Sequence, residues 1–148
     1  MVFGARDLKL ERPVAVKVLK PQVVLDAGSH RERFLNEARV LARLAHPHVA
    51  PVFDVGETAE GAAFFVMELA GERTLARELE ARGQFALEEA LRLLLPVMGA
   101  LALAHDAGIV HRDIKPANLV LESREHGAVR AKLLDFGVAP FWRTGLTA

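Results

Sequence analysis

Near Gly71 the hydrophobic pattern of this chain changes period, and that change limits the folds open to it. Before it, residues 13–19 read PVAVKVL, with Val14, Val16 and Val18 on one side of a strand and Ala15, Lys17 and Leu19 on the other. Ser29 and Glu32 then stand at capping-box spacing, followed by the helical stripe Phe34, Ala38, Leu41 and Ala45. Residues 49–55 and 62–69 read as two more strands, with a turn over 58–61. Strand, helix, strand, strand predicts a small sheet carrying one helix. After Gly71 the spacing is helical. A short helix over 74–82 is stopped by Gly83, and a long one over 86–107 by Gly108. Pro96 should kink the long helix or remove a backbone bond near its middle. Residues 91–103 are apolar nearly all round, so this helix needs cover on several sides. Short strands are expected at 109–110, 119–121 and 131–134, with a polar connection over 122–129. The expected fold class is α+β.

Composition narrows the function classes. Hydrophobic residues make up 51% of the 148, enough for a packed core rather than a disordered chain. Nineteen Lys and Arg balance nineteen Asp and Glu, which argues against a partner held by bulk positive charge, so no nucleic acid is expected. Cysteine is absent, which removes disulfides, thiolate nucleophiles and Cys-ligated zinc and fits a reducing compartment. Arg6, Asp7, Lys9, Glu11 and Arg12 stand where a signal peptide would be apolar. The longest uncharged apolar run, 93–104, is too short to span a bilayer and is broken by Pro96 and Gly99. The expectation is a cytoplasmic chain without a membrane segment.

Three polar features have ordinary explanations when taken one at a time. Lys17 reads as the snorkelling lysine of an edge strand. Glu37, inside the stripe between Phe34 and Leu41, reads as the exposed partner of Arg33 one helical turn earlier. His46 and His48 flank Pro47 and read as a helix-ending turn rather than a metal site, since no further ligand lies near in sequence.

The stretch His111-Arg112-Asp113-Ile114-Lys115-Pro116-Ala117-Asn118 does not reduce to ordinary terms. It is a polar loop between short apolar strands that brings an acceptor for a hydroxyl proton, a cation for a phosphate and an oxygen for a metal into eight residues. Asp135-Phe136-Gly137 comes directly after another apolar strand. With VAVK ending at Lys17 and Glu37 in the intervening helix, the set resembles the protein kinase family, in its serine/threonine branch of bacterial type. HRDIKPAN is specific by itself; VAVK and DFG are not.

The resemblance implies a two-lobed fold, with residues 1–69 as the small lobe and 70–148 as part of the large one. It implies ATP and Mg2+ as cofactors and a protein with a Ser or Thr acceptor as partner. Lys17 would contact the α- and β-phosphates and pair with Glu37. Val2, Ala15 and Val120 would sandwich the adenine, Met67 would be the gatekeeper, and Glu68 to Ala70 the hinge. Asp113 would accept the hydroxyl proton, Lys115 would steady the transferring phosphoryl group, and Asn118 and Asp135 would hold magnesium. Leu41, His111 and Phe136 would stack into a column tying the lobes together. Arg112 and the Lys115-Pro116 pair favour a protein kinase over a small-molecule phosphotransferase of related fold.

The family pattern also extends beyond this sequence. A glycine-rich phosphate loop is expected before Val2 and an A-P-E motif after Gly137; neither is present. Residues 1–7 resemble the segment just after that loop. Without these parts the chain is expected to bind ATP weakly or not at all and to transfer phosphate poorly, or to act as a non-catalytic binding module. The uncovered face of the 86–107 helix is expected to favour self-association. Thr144 and Thr147 lie where activating phosphorylation would occur and read equally as exposed residues of a tail.

Overall fold

The computed structural model describes residues 1–19, 27–124 and 127–134, without the side chains of 27–30, 33, 37 and 40. The Glu37 side chain and residues Asp135, Phe136, Thr144 and Thr147 therefore lie outside the described residues. The element order is β1 (Val2–Asp7), β2 (Arg12–Val18), α1 (Ala27–Arg43), β3 (Val52–Glu57), β4 (Ala63–Glu68), α2 (Leu75–Arg82), α3 (Leu87–Asp106), a 3-10 turn (Pro116–Asn118), β5 (Leu119–Ser123) and β6 (Val129–Leu133). The first four strands form one antiparallel sheet in the order β1-β2-β4-β3, and β5 pairs with β6 in a second. The α+β expectation holds.

β1 has no counterpart in the sequence reading. All its residues but Asp7 are exposed, so it carries none of the apolar alternation by which strands are read. Its presence moves β2 to the interior of the sheet, which overturns the edge-strand reading of Lys17. The hairpin is closed by Asp7, whose Oδ1 accepts from the amides of Lys9 and Leu10 at 3.0 and 3.1 Å.

One face of this sheet carries Val2, Ala15, Lys17, Phe65 and Met67. Val2 lies opposite Lys17, Lys17 opposite Phe65, and Ala15 opposite Met67. The buried apolar members, Ala15, Phe65 and Met67, pack with Phe34, Leu35 and Ala38 of α1. α1 begins at Ala27, so Ser29 sits inside the first turn and is not the N-cap that its spacing predicts.

The second core lies under α3. Leu93, Val97, Ala100 and Ala104 pack with Leu119, Leu121, Ala131 and Leu133 from the inward face of the β5–β6 hairpin. α2 is capped as expected. Thr74 Oγ1 accepts from the Arg77 amide at 3.2 Å, and Gly83 at φ 77° closes the other end. Pro96 sits inside α3, as the sequence indicated.

Residues 109–110 form no strand. Gly108, at φ 78°, donates to His105 O, and Ile109 donates to Ala104 O, each at 2.9 Å. This pairing is a Schellman motif, and it spends the Ile109 amide on the helix end. β3 likewise starts at Val52 rather than 49, because Val49 pairs in parallel with Leu133. Pro51, which has no amide to give a ladder, separates the two pairings.

The opposite side of α3 is uncovered. Leu87, Leu91, Leu94, Leu95, Met98 and Leu103 are exposed, with Met98 at 60%. No helix among the described residues is long and apolar enough to cross a membrane. The two sides of α3 should respond differently to truncation. Leu93→Ala is expected to cost about 2–5 kcal/mol in denaturant unfolding. Leu95→Ala should stay within about 0.5 kcal/mol of the unmodified chain.

Candidate active site

The loop after α3 is organised around His111, which is buried. Its Nε2 donates to Leu134 O at 3.0 Å, an atom that can only accept, so Nε2 carries the hydrogen. Nδ1 then accepts from the Asp113 amide at 3.3 Å. Arg112, between them, adopts φ 62°, a left-handed conformation uncommon outside glycine. That turn sets the direction in which Asp113 leaves the buried histidine.

Two neighbours hold the Asp113 carboxylate. Lys115 Nζ lies 2.8 Å from Oδ2, and Asn118 Nδ2 donates to the same oxygen at 3.0 Å and to the Asp113 carbonyl at 2.7 Å. Pro116 opens the 3-10 turn that brings Asn118 back over the loop. The Lys115 ammonium, then the Asn118 amide, hold the Asp113 carboxyl below its ordinary 3.8. Asp113 is thus a carboxylate at neutral pH. The Asn118 carbonyl accepts from the Leu134 amide at 2.8 Å, which brings the chain leading to residue 135 alongside the loop.

Lys17 is half-buried, with Nζ 5.8 Å from the centre of the Phe65 ring. Ala15 and Met67, on the same sheet face, are buried, and Val2 at the edge is exposed. Val120 is buried on β5 and forms an isolated bridge with Thr74, just past the segment of Glu68 and Ala70. The Leu121 amide donates to Arg73 O at 2.8 Å, fixing that segment to β5. Small apolar side chains and two backbone segments therefore come from both sheets, with lysines on the sheet face and in the loop.

His46 and His48 form a turn, as expected. His48 Nδ1 bonds Ala131 O at 2.7 Å, and burial, then the neighbouring His48, push His46 below its ordinary value. Among the described residues no group of three or more His, Asp or Glu gathers for a metal ion. One polar cluster has no counterpart in the sequence reading. Lys132 Nζ lies 2.6 Å from Glu68 Oε2 and 2.7 Å from Glu122 Oε1, and Arg130 lies 2.7 Å from Glu122 Oε2. Lys132 interrupts an apolar strand as Lys17 does, which is the signal by which it can be found.

Replacing Lys115 by Met should move the Asp113 titration up toward 3.8, and Asn118→Ala should move it less, both read by carboxyl 13C NMR. The sign comes from the depression. The stabilisation from Asp113 is present above the unfolded value and is lost as pH falls through the lowered one. The unmodified chain therefore keeps its carboxylate to lower pH than either variant.

Comparison with known proteins agrees with this geometry. The protein kinase domain family matches residues 1–147. A probable serine/threonine-protein kinase, pknA2 of Bifidobacterium longum, is 42% identical over 142 residues, covering 93% of this chain and 18% of the relative. The serine/threonine-protein kinase PknA of Mycobacterium tuberculosis is 41% identical over 155 residues, covering 98% of this chain and 35% of the relative. The crystal structure of the Mycobacterium tuberculosis PknI kinase domain superposes with a TM-score of 0.75 at 35% identity, covering 94% of this chain and 55% of that one. The chain spans only about a fifth to a third of the length of these curated relatives. The chain belongs to the protein kinase family.

Proposed function

We propose that this chain supplies the nucleotide cleft and catalytic loop of a serine/threonine protein kinase, with residues 1–69 as the small lobe and 70–148 as part of the large one. The observation that carries the reading is the convergence of Lys115 and Asn118 on one oxygen of Asp113. A proton acceptor, a cation and a metal-binding amide are thereby held in one loop. Phosphoryl transfer asks for positioning and charge neutralisation more than for covalent chemistry.

The residues fit ATP and magnesium by their chemistry. Ala15, Met67, Val120 and Val2 would enclose the adenine, with the backbone of Glu68 and Ala70 at its edge. Lys17 would meet the phosphates, paired with Glu37. With Nδ2 of Asn118 engaged by Asp113, the amide offers Oδ1 to a cation, joined by Asp135. Magnesium, when bound, neutralises charge on the phosphate oxygens; it is commonly held by one or two protein side chains plus the phosphates. Asp113, already ionised, would take the proton from a Ser or Thr hydroxyl of a protein substrate. Lys115 would leave Asp113 for the transferring phosphoryl oxygens. The need for ATP places the chain on the cytoplasmic side, and the exposed stripe of α3 is the surface by which copies would self-associate.

The test is transfer of γ-32P from Mg·ATP to a Ser/Thr-containing protein by the full-length protein carrying this chain. Asp113→Asn should lower the rate by about 10²–10⁴. Lys17→Met and Asp135→Asn should weaken nucleotide binding as well. Unchanged transfer in Asp113→Asn would remove the assigned base. Label appearing only on small molecules would move the chain to metabolite phosphotransfer.

A further inference from the structure

β6 carries two different surfaces. Ala131 and Leu133 face α3, whereas Arg130 and Lys132 face the other way with Glu122 and Val120 of β5, their cross-strand neighbours. Lys132 lies directly opposite Val120 in that register. Its ammonium is almost fully buried, with the side chain 7% exposed, and sits between two carboxylates. One, Glu122, belongs to the same hairpin. The other, Glu68, ends β4 of the first sheet, 64 residues away in sequence.

Glu122 is saturated within the hairpin. Burial pushes its carboxyl up, but Lys132 and Arg130 hold it below its ordinary value. The hairpin alone holds two cations against one carboxylate, and Glu68 supplies the second negative charge. The Lys132–Glu68 bond thereby joins the end of the first sheet to the strand pair that bears Val120. Glu68 is also fixed through its amide, which donates to Pro51 O at 3.1 Å. A shallow cavity of about 200 Å³ lined by Pro47, Val49, Pro51, Glu68, Arg130 and Lys132 leaves the bond open to water on one side. Glu68 is 32% exposed there, so the bond has room to break without the core opening.

We infer that Lys132 is a positioning residue whose bond to Glu68 sets the spacing between the segment at Glu68–Ala70 and Val120, and hence the width of the adenine slot. This rests on the nucleotide site proposed above. The bond acts as a tether across the two sheets. While it holds, the slot is preformed; when it breaks, the sheets move apart about residues 69–73, and the nucleotide must close them again at the expense of its affinity.

A double-mutant cycle on the full chain tests this, with Lys132→Met, Glu68→Gln and the pair together. Met keeps the apolar stem of Lys132 and removes the charge. ADP affinity is measured by calorimetry. Amide hydrogen exchange over residues 68–73 is measured without nucleotide. Each single variant should weaken ADP binding at least fivefold and speed exchange in that segment at least tenfold, with exchange in α3 unchanged. The double variant should be no worse than the worse single one, and Lys132→Arg should restore both readouts. Additive effects, or exchange unchanged in 68–73, would overturn the tether. If the unmodified chain binds no ADP, the nucleotide reading fails by itself, and the exchange arm still decides whether the bond joins the two sheets. If Lys132→Met does not fold, Glu68→Gln and Lys132→Arg carry the same comparison.

Discussion

The structure turns on the end of β6, where residues 133 and 134 are hydrogen-bonded on both sides at once. Leu133 N donates to His48 O, Ala50 N donates to Leu133 O, and Leu134 N donates to Asn118 O. Leu134 O receives His111 Nε2. One dipeptide thus joins the turn after α1, the loop over 111–118 and the second sheet. The Leu133 side chain is fully buried under α3, so the apolar core and the polar seam share an anchor. Buried backbone groups must be paired. A shift of β6 by one residue would break all four bonds and turn Leu133 outward. Backbone pairing therefore fixes how β6 meets the turn after α1, and leaves the spacing at Glu68–Ala70 to side chains.

The two polar side chains buried most deeply in this frame, His111 and Lys132, are both partnered. His111 spends both ring nitrogens, one on Leu134 and one on Asp113. Lys132 finds two carboxylates. Removing one partner of such a buried ionic group is costly, roughly 3–5 kcal/mol, because the other charge is left without compensation. The loop at Asp113 differs. The Asp113–Lys115 pair is about half exposed on both sides, so it contributes little to stability and is easily exchanged. Those properties suit the proposed role, in which the lysine leaves its carboxylate for a phosphoryl oxygen. Buried pairs lie beneath the proposed site and exposed, exchangeable ones at its mouth.

How much of this could be read from the residues depends on the range of each interaction. α2, with Thr74 and Gly83 at its ends, and α3, with Gly108 behind it, were legible because capping is decided within a few residues. The β4 and β5 strands were legible from their apolar runs. β1 was not, because an exposed strand with Gly4, Arg6 and Asp7 has no apolar face. The missing strand in turn misplaced β2 at an edge. The stretch 109–110 looked like a strand because Ile and Val favour one, but its amide was claimed by the helix cap. The motif loop announced Asp113, Lys115 and Asn118. Lys132 stands out as a lysine in an apolar strand, but nothing in the sequence pairs it with Glu68, since their meeting depends on how two sheets are stacked.

The same division of range explains why α3 has two characters. Its inner face meets strands that arrive from well further along the chain, and small residues there, Ala100 and Ala104, let the hairpin approach closely. Its outer face repeats Leu87, Leu91, Leu94 and Met98 at spacings of four, three and four, the period of a helix that packs on another helix. A solvated helix would not keep that pattern, since exposed leucines at this spacing gain nothing from water and favour association. Pro96 stands between the two faces and is half-buried, and the amide it lacks removes one rung of the helix where both faces are apolar.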